Sequence, residues 1–140
     1  MWSQRVYVDH LRNVSLFEGF SRKDLETIAS VGQHVTVKAD TVLLKEDTDG
    51  YDAYVLLSGT VKVTRRGRAV GTVQPGAILG ELSLLDQGTR TATATCLTDC
   101  DVLVLSRRTF LATIDRVPAL QHKLLTTLAS KIRDLDRRAM

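Results

Sequence analysis

Ile78-Leu79-Gly80-Glu81-Leu82-Ser83-Leu84-Leu85-Asp86-Gln87-Gly88-Thr89-Arg90-Thr91-Ala92-Thr93-Ala94 interrupts a region, Gly32 to Ser106, that otherwise alternates short β-branched runs with turns. The pattern predicts a short helical turn over Glu81 to Leu84, entered through Gly80. A glycine there lets a ligand approach the backbone closely, and the first free N–H groups of such a turn form an anion site. The strand that follows carries an anomaly. In Arg90-Thr91-Ala92-Thr93-Ala94-Thr95-Cys96, strand alternation puts Arg90 on the face of Ala92, Ala94 and Cys96. That face is apolar and its side chains are small, so a guanidinium points inward with room beside it. Burying an arginine without an anionic partner costs on the order of several kcal/mol. Two partners fit these residues. One is a ligand: Arg90 and the N–H groups of the turn make a concave phosphate clamp, while Glu81 repels phosphate but accepts from a sugar hydroxyl, so the pair suits a ribose phosphate. The other is internal, a buried Glu81–Arg90 salt bridge. Alternation alone leaves both open.

Outward from this stretch, turn signals recur at Asp49-Gly50, Ser58-Gly59, Arg66-Gly67, Pro75-Gly76, Gln87-Gly88 and Thr98-Asp99. Between them lie Val35-Thr36-Val37, Thr41-Val42-Leu43-Leu44, Tyr54-Val55-Leu56-Leu57, Val61-Lys62-Val63 and Val102-Leu103-Val104-Leu105. Short strands at even spacing predict a sandwich, roll or barrel, and no βαβ rhythm is visible. Helices are predicted at both ends. Val8, Leu11, Val14 and Leu16-Phe17 mark a short helix and an apolar anchor. Ser21 and Asp24 read as a capping box ahead of Leu25, Ile28 and Ala29, with Gly32 placed to end that helix. Ser106 can cap a helix carrying Phe110, Leu111 and Ile114, and Pro118 suits the first turn of a last one. On the last helix Val117, Leu120, Leu124, Leu128, Ile132 and Leu135 form one apolar stripe. That stripe either packs on the roll or makes a parallel dimer seam.

Composition narrows the function classes. With 140 residues, 44% hydrophobic and 25% charged, the chain reads as one ordinary globular domain. No apolar run approaches the roughly 18 residues of a membrane span. The N-terminal Met1-Trp2-Ser3-Gln4-Arg5 lacks a signal-peptide pattern, so a cytoplasmic location is expected. Cys96 and Cys100 do not have C-x-x-C spacing and read as small buried side chains. His10, His34 and His122 stand alone, so no metal site is expected. The net charge of +3 is modest. Arg65, Arg66 and Arg68, Arg107-Arg108 and Arg137-Arg138 lack interleaved aromatics, and read as solvated faces, not as a nucleic-acid footprint. No nucleophile–base–acid spacing points to an enzyme.

The run Gly80-Glu81-Leu82-Ser83-Leu84-Leu85 followed by Thr89-Arg90-Thr91-Ala92 resembles the phosphate-binding cassette of cyclic nucleotide-binding domains. That cassette reads G-E-apolar-small-L, a short linker, then R-[T/S/A]-A. Tyr54 to Val63 resembles the strand-turn-strand that precedes the cassette, and the helix-roll-helix order is the family's as well. The resemblance implies a mainly β fold with flanking α-helices: a double-stranded β-helix (jelly roll) with N-terminal helices and C-terminal lid helices. Residues 1–140 would form a single domain, with N-terminal helices over 1–31, the β-roll over 32–106 with the cassette at 79–92, and C-terminal helices over 107–140.

By matching position, Glu81 would accept from the ribose 2′-hydroxyl and Arg90 would pair with the cyclic phosphate. Gly80, Leu82 and Ser83 would contribute contacts around the same groups, and Thr91 would sit beside phosphate and base. Val63, Val70 and Gly71 fall where the family lines the base pocket, and Lys131 and Leu135 where its last helix caps the base. There are departures. Leu79 stands where an aromatic is common, Asp47 follows Glu46 where a glycine is usual, and Thr91 reaches the phosphate only through a twist or bulge, because its parity is opposite to that of Arg90. The implied function is a non-catalytic sensor of a cyclic nucleotide, cyclic AMP favoured over cyclic GMP, with no other cofactor and no membrane or direct nucleic-acid partner. It would act on an unidentified effector protein, and a homodimer through the last helix is the oligomer to expect. Two alternatives stand beside it. One is the sensor half of a catabolite-activator-type transcription regulator, whose helix-turn-helix would follow Met140. The other is a degenerate roll that no longer binds nucleotide, against which Gly80, Glu81 and Arg90 together argue.

Overall fold

Two runs of sequence are apolar without alternation, Tyr54–Leu57 and Val102–Leu105, and the fold explains them. A computed structural model describes residues 2–86 and 88–139. Helices α1 (Gln4–Leu11) and α2 (Arg22–Ser30) flank a 3-10 turn at Ser15–Phe17. Strands β1 (Gln33–Val37), β2 (Val42–Leu44), β3 (Asp52–Ser58), β4 (Val61–Arg65), β5 (Arg68–Val73), β6 (Ile78–Leu79), β7 (Thr93–Cys96) and β8 (Cys100–Ser106) follow, then α3 (Arg107–Arg116) and α4 (Pro118–Ala139). The strands pair antiparallel in two sheets, ordered β1-β8-β3-β6 and β2-β7-β4-β5. This is the expected jelly roll with flanking helices. Strands β3 and β8 are central in the first sheet, which is covered on both faces, so their residues are apolar on both sides. Leu56 and Val102 face Leu44, Val61, Ala94 and Cys96 between the sheets. Ala53, Val55, Leu57, Leu103 and Leu105 face the helices and pack on Leu11, Leu25, Ile28, Phe110 and Leu120.

The helix boundaries follow from their caps. Asp24 N donates to Ser21 Oγ at 3.1 Å and Ser21 N to Asp24 Oδ2 at 2.9 Å, a capping box in which aspartate serves in place of glutamate. Ser106 Oγ accepts from Thr109 N at 3.2 Å to open α3, and Pro118 opens α4. Gly32 corrects the expectation that it ends α2. Val31 closes the helix in a right-handed conformation, and Gly32 is needed for space: a Cβ there would lie 2.7 Å from the Leu103 side chain. The strand expected from Arg90 begins at Thr93. Of the expected Gln87-Gly88 turn, Gln87 lies outside the described residues.

The apolar stripe of α4 divides along its length. Leu120 and Leu124 are buried, Lys123 bonds Asp24 with its ammonium 5.8 Å over the Phe20 ring, and Thr127 Oγ1 donates to Glu18 O. Further out, Leu125, Ile132 and Leu135 are 66%, 65% and 63% exposed. Cys96 and Cys100 are free and buried, and burial beside the second thiol pushes Cys96 up to about 12. No described helix is long and apolar enough to cross a membrane.

His34, isolated in sequence, anchors α1 to the outer face of the first sheet. Its Nδ1 shares a hydrogen bond with Tyr7 Oη at 2.8 Å and its Nε2 one with Asp101 Oδ1 at 2.9 Å. The Asp101 carboxyl also accepts from Thr36 Oγ1 at 2.6 Å and Ser58 Oγ at 2.8 Å. Hydrogen bonds from Thr36, His34 and Ser58 lower it from 3.8 to about 2. A carboxylate depressed on folding adds stability above its unfolded value and loses it as pH falls through the folded one. Asp101→Asn is therefore expected to destabilise the protein by about 1–2 kcal/mol at neutral pH. Between pH 4 and pH 2 the wild type should lose stability faster than the variant. Urea unfolding midpoints across that range check this, and parallel pH dependences would overturn the assignment.

Candidate functional site

The site grows from one left-handed backbone position that glycine adopts without strain. Gly80 has φ 71° and ψ 26° and caps the 3-10 helix Glu81–Leu84. The turn is held by Ser83 N donating to Gly80 O at 3.0 Å and by Leu84, which is fully buried among the helices. It presents the buried hydroxyl of Ser83 to Arg90, which is only 7% exposed. Arg90 Nη1 donates to Ser83 Oγ at 2.7 Å, and Nη2 donates to the carbonyl of Asp52 at 2.7 Å. Both partners are neutral. Ion pairs among the described residues are Arg22–Glu26, His34–Asp101 and Lys123–Asp24, so the internal Glu81–Arg90 salt bridge is not formed. Burial raises the Tyr54 hydroxyl and Asp52 adds to the rise, while the Arg90 charge opposes it.

Beside the guanidinium lies a cavity of about 230 Å³. Gly80, Glu81, Leu82, Ser83, Arg90, Thr91 and Val63 line it, as do Ala92 and Ala94, whose small side chains leave the space. The chain bends at Thr91 and Ala92 ahead of β7, which frees Thr91 from strand parity and lets it share the cavity with Arg90. Val70 and Gly71 do not line it. They lie on β5, the exposed edge of the second sheet, where Val70 is 57% exposed. Lys131 lines a neighbouring cavity of about 410 Å³ with Leu128 and residues 13–16, and that cavity shares Ile78, Glu81 and Leu82 with the first. Leu135 lines neither.

The departures from the family pattern leave the site intact. Asp47 takes φ 65°, so the turn keeps its left-handed residue although glycine is absent. Leu79 packs between the sheets and also borders the cavity. Sequence reasoning missed Arg65, which lines the cavity and donates from Nε to Thr91 O at 3.1 Å. It also missed the Asp52 carbonyl. A backbone acceptor leaves no mark on residue type, and Arg65 was absorbed into a cluster of turn arginines.

The sequence matches the family model described as the cyclic nucleotide-binding domain over residues 34–117. It is 30% identical over 131 residues to the cyclic AMP receptor protein of Thermus thermophilus, covering 90% of this chain and 61% of that protein. The chain thus spans less than two thirds of that relative's length. The N-terminal domain of a transcriptional regulator from Streptomyces coelicolor superposes with a TM-score of 0.87 at 31% identity, covering 94% of each chain. The regulatory domain of Toxoplasma gondii PKA, crystallised with cAMP, superposes with a TM-score of 0.72 at 35% identity, over 79% of this chain and 44% of that one.

Ser83→Ala removes one of the two side-chain bonds of a buried cation. It is expected to destabilise the ligand-free protein by about 1–3 kcal/mol, read as a lower denaturant midpoint at unchanged slope. A variant as stable as the wild type would mean that the Ser83–Arg90 bond carries no weight.

Proposed function

The chain belongs to the cyclic nucleotide-binding domain family, and on that premise we propose that it is a non-catalytic sensor whose ligand is cyclic AMP. One observation carries the proposal. Among the described residues Arg90 is buried with neutral partners only, beside a cavity that also holds Glu81. Such a cation favours an anion, and two neutral acceptors leave its charge to be met from the cavity. In this reading Arg90 pairs with the cyclic phosphate, and Ser83 and the backbone at Gly80 and Leu82 complete the clamp. Glu81 accepts from the ribose 2′-hydroxyl, and Thr91 sits beside the phosphate. Val63 borders the base, and Lys131 caps it from α4 through the neighbouring cavity. Cyclic AMP is preferred because the Thermus relative is named a cyclic AMP receptor protein and the Toxoplasma domain was crystallised with cAMP. Cyclic GMP is the alternative, since the Thr91 hydroxyl both donates and accepts.

The likeness to the N-terminal domain of a transcriptional regulator supports a sensor half acting on a further module. Cysteines kept as buried free thiols suit the reducing cytoplasm. The outer half of α4 supports a homodimer. Leu125, Leu128, Ile132 and Leu135 step by three, four and three, the a and d positions of a coiled-coil seam. This seam shares Leu128, Ile132 and Leu135 with the stripe expected from sequence, whereas Leu120 and Leu124 are already buried against the neighbouring helical segments.

Calorimetry with cyclic AMP, cyclic GMP and the linear monophosphates tests the ligand. Wild type should bind cyclic AMP, and Arg90→Ala should weaken that binding by roughly 2–4 kcal/mol. Binding within twofold of wild type would remove Arg90 from the phosphate. For the seam, sedimentation should find a dimer for the wild type and a monomer for Ile132→Asp; a wild type that stays monomeric would refute it.

A further inference from the structure

The clamp arginine is held from a side that the cassette does not contain. The loop between β2 and β3 bonds the Arg90 backbone at both ends: Asp47 N donates to Arg90 O at 2.9 Å, and Arg90 N donates to Thr48 O at 2.8 Å. Asp49 bridges Thr89 in the same antiparallel sense. At the end of the loop the Asp52 carbonyl accepts from Nη2. Between these contacts sits Gly50, which is buried. A Cβ added to Gly50 would overlap Nε, Cζ and Nη2 of Arg90. Gly50 is not among the glycines with positive φ, so its backbone conformation admits alanine, and the three atoms nearest to an added side chain all belong to the Arg90 guanidinium.

We infer that this loop is the positioning element of the clamp and that Gly50 is its decisive residue. The flat guanidinium lies against bare backbone at Gly50, with Gly80 at Nη1, where a Cβ would also overlap. Fixing the plane of the fork before an anion arrives removes the ordering cost from binding. The inference rests on the anion-clamp reading for its affinity consequence, but not for its steric one.

A double-mutant cycle separates the two. In the ligand-free protein Gly50→Ala is expected to lower the melting temperature by about 3–6 °C, the scale of one to two kcal/mol in a domain of this size. In the Arg90→Ala background, where no guanidinium is displaced, the same change should cost less than a third of that. Equal losses in both backgrounds would overturn the inference. If Gly50→Ala alone does not fold, a folded Gly50→Ala/Arg90→Ala protein supports the slot, and an unfolded one overturns it. The second readout is cyclic AMP affinity measured below the melting transition. Gly50→Ala should bind at least tenfold more weakly than wild type with Arg90 still present, and wild-type affinity would show that Gly50 does not position the fork. A wild type that binds no cyclic nucleotide would remove the proposed ligand, and the ligand-free cycle would still decide the role of Gly50.

Discussion

A guanidinium held inside a small β-roll by two neutral oxygens is the constraint around which the rest of this structure is arranged. Burial weakens the hydration of the charge, and Ser83 Oγ and the Asp52 carbonyl supply directed bonds without neutralising it. The neighbours are chosen for smallness. Gly50 and Gly80 leave room for the plane of the group, and Ala92 and Ala94 leave room beside it. A larger residue at any of these positions would fill space that the fold keeps open. Local packing is given up there, and the two cores on either side of the first sheet supply the stability.

Those two cores meet at the turn that carries the site. Leu79, just before the turn, packs between the sheets, while Leu84, at its end, belongs to the core between the first sheet and the helices. Ser83 and Glu81 lie between them and face the cavity. A shift of the turn that improves bonding at Ser83 therefore acts directly on the helical core beside Phe110 and Leu120. The cavity containing Lys131 shares Ile78, Glu81 and Leu82 with the site and brings in α4. Site and helices are thus separated by the thickness of one 3-10 helix, a short path for coupling.

How much of this was legible in sequence depended on how local each signal is. The caps at Ser21 and Ser106, the proline opening α4 and the turn Glu81–Leu84 are decided within a few residues, and the structure has them where the residues place them. Burial of Arg90 was legible too, but not its cause: the small residues after it mark the space, whereas the parity argument assumed a strand that begins only at Thr93, after a bend at 91–92. Strand β5 was not. As an exposed edge it needs no apolar alternation, and Val70 and Gly71, assigned to the pocket by resemblance, fall on it. The partners of His34 lie 27 and 67 residues away, and no spacing connects them. For α4 the period was readable, but which half is covered is settled by the N-terminal helices against which it docks.

The two buried thiols give this fold a chemical gauge. Cys96 ends a strand of one sheet and Cys100 begins a strand of the other, so both sulfurs sit where the two layers join. With Cys96 raised to about 12, an alkylating reagent at neutral pH finds almost none of it as thiolate, and burial denies access to both sulfurs. Modification must then wait for the layers to part. The rate at which an electrophile consumes these residues reports the opening equilibrium of the junction between sheets, with the native protein serving as its own probe.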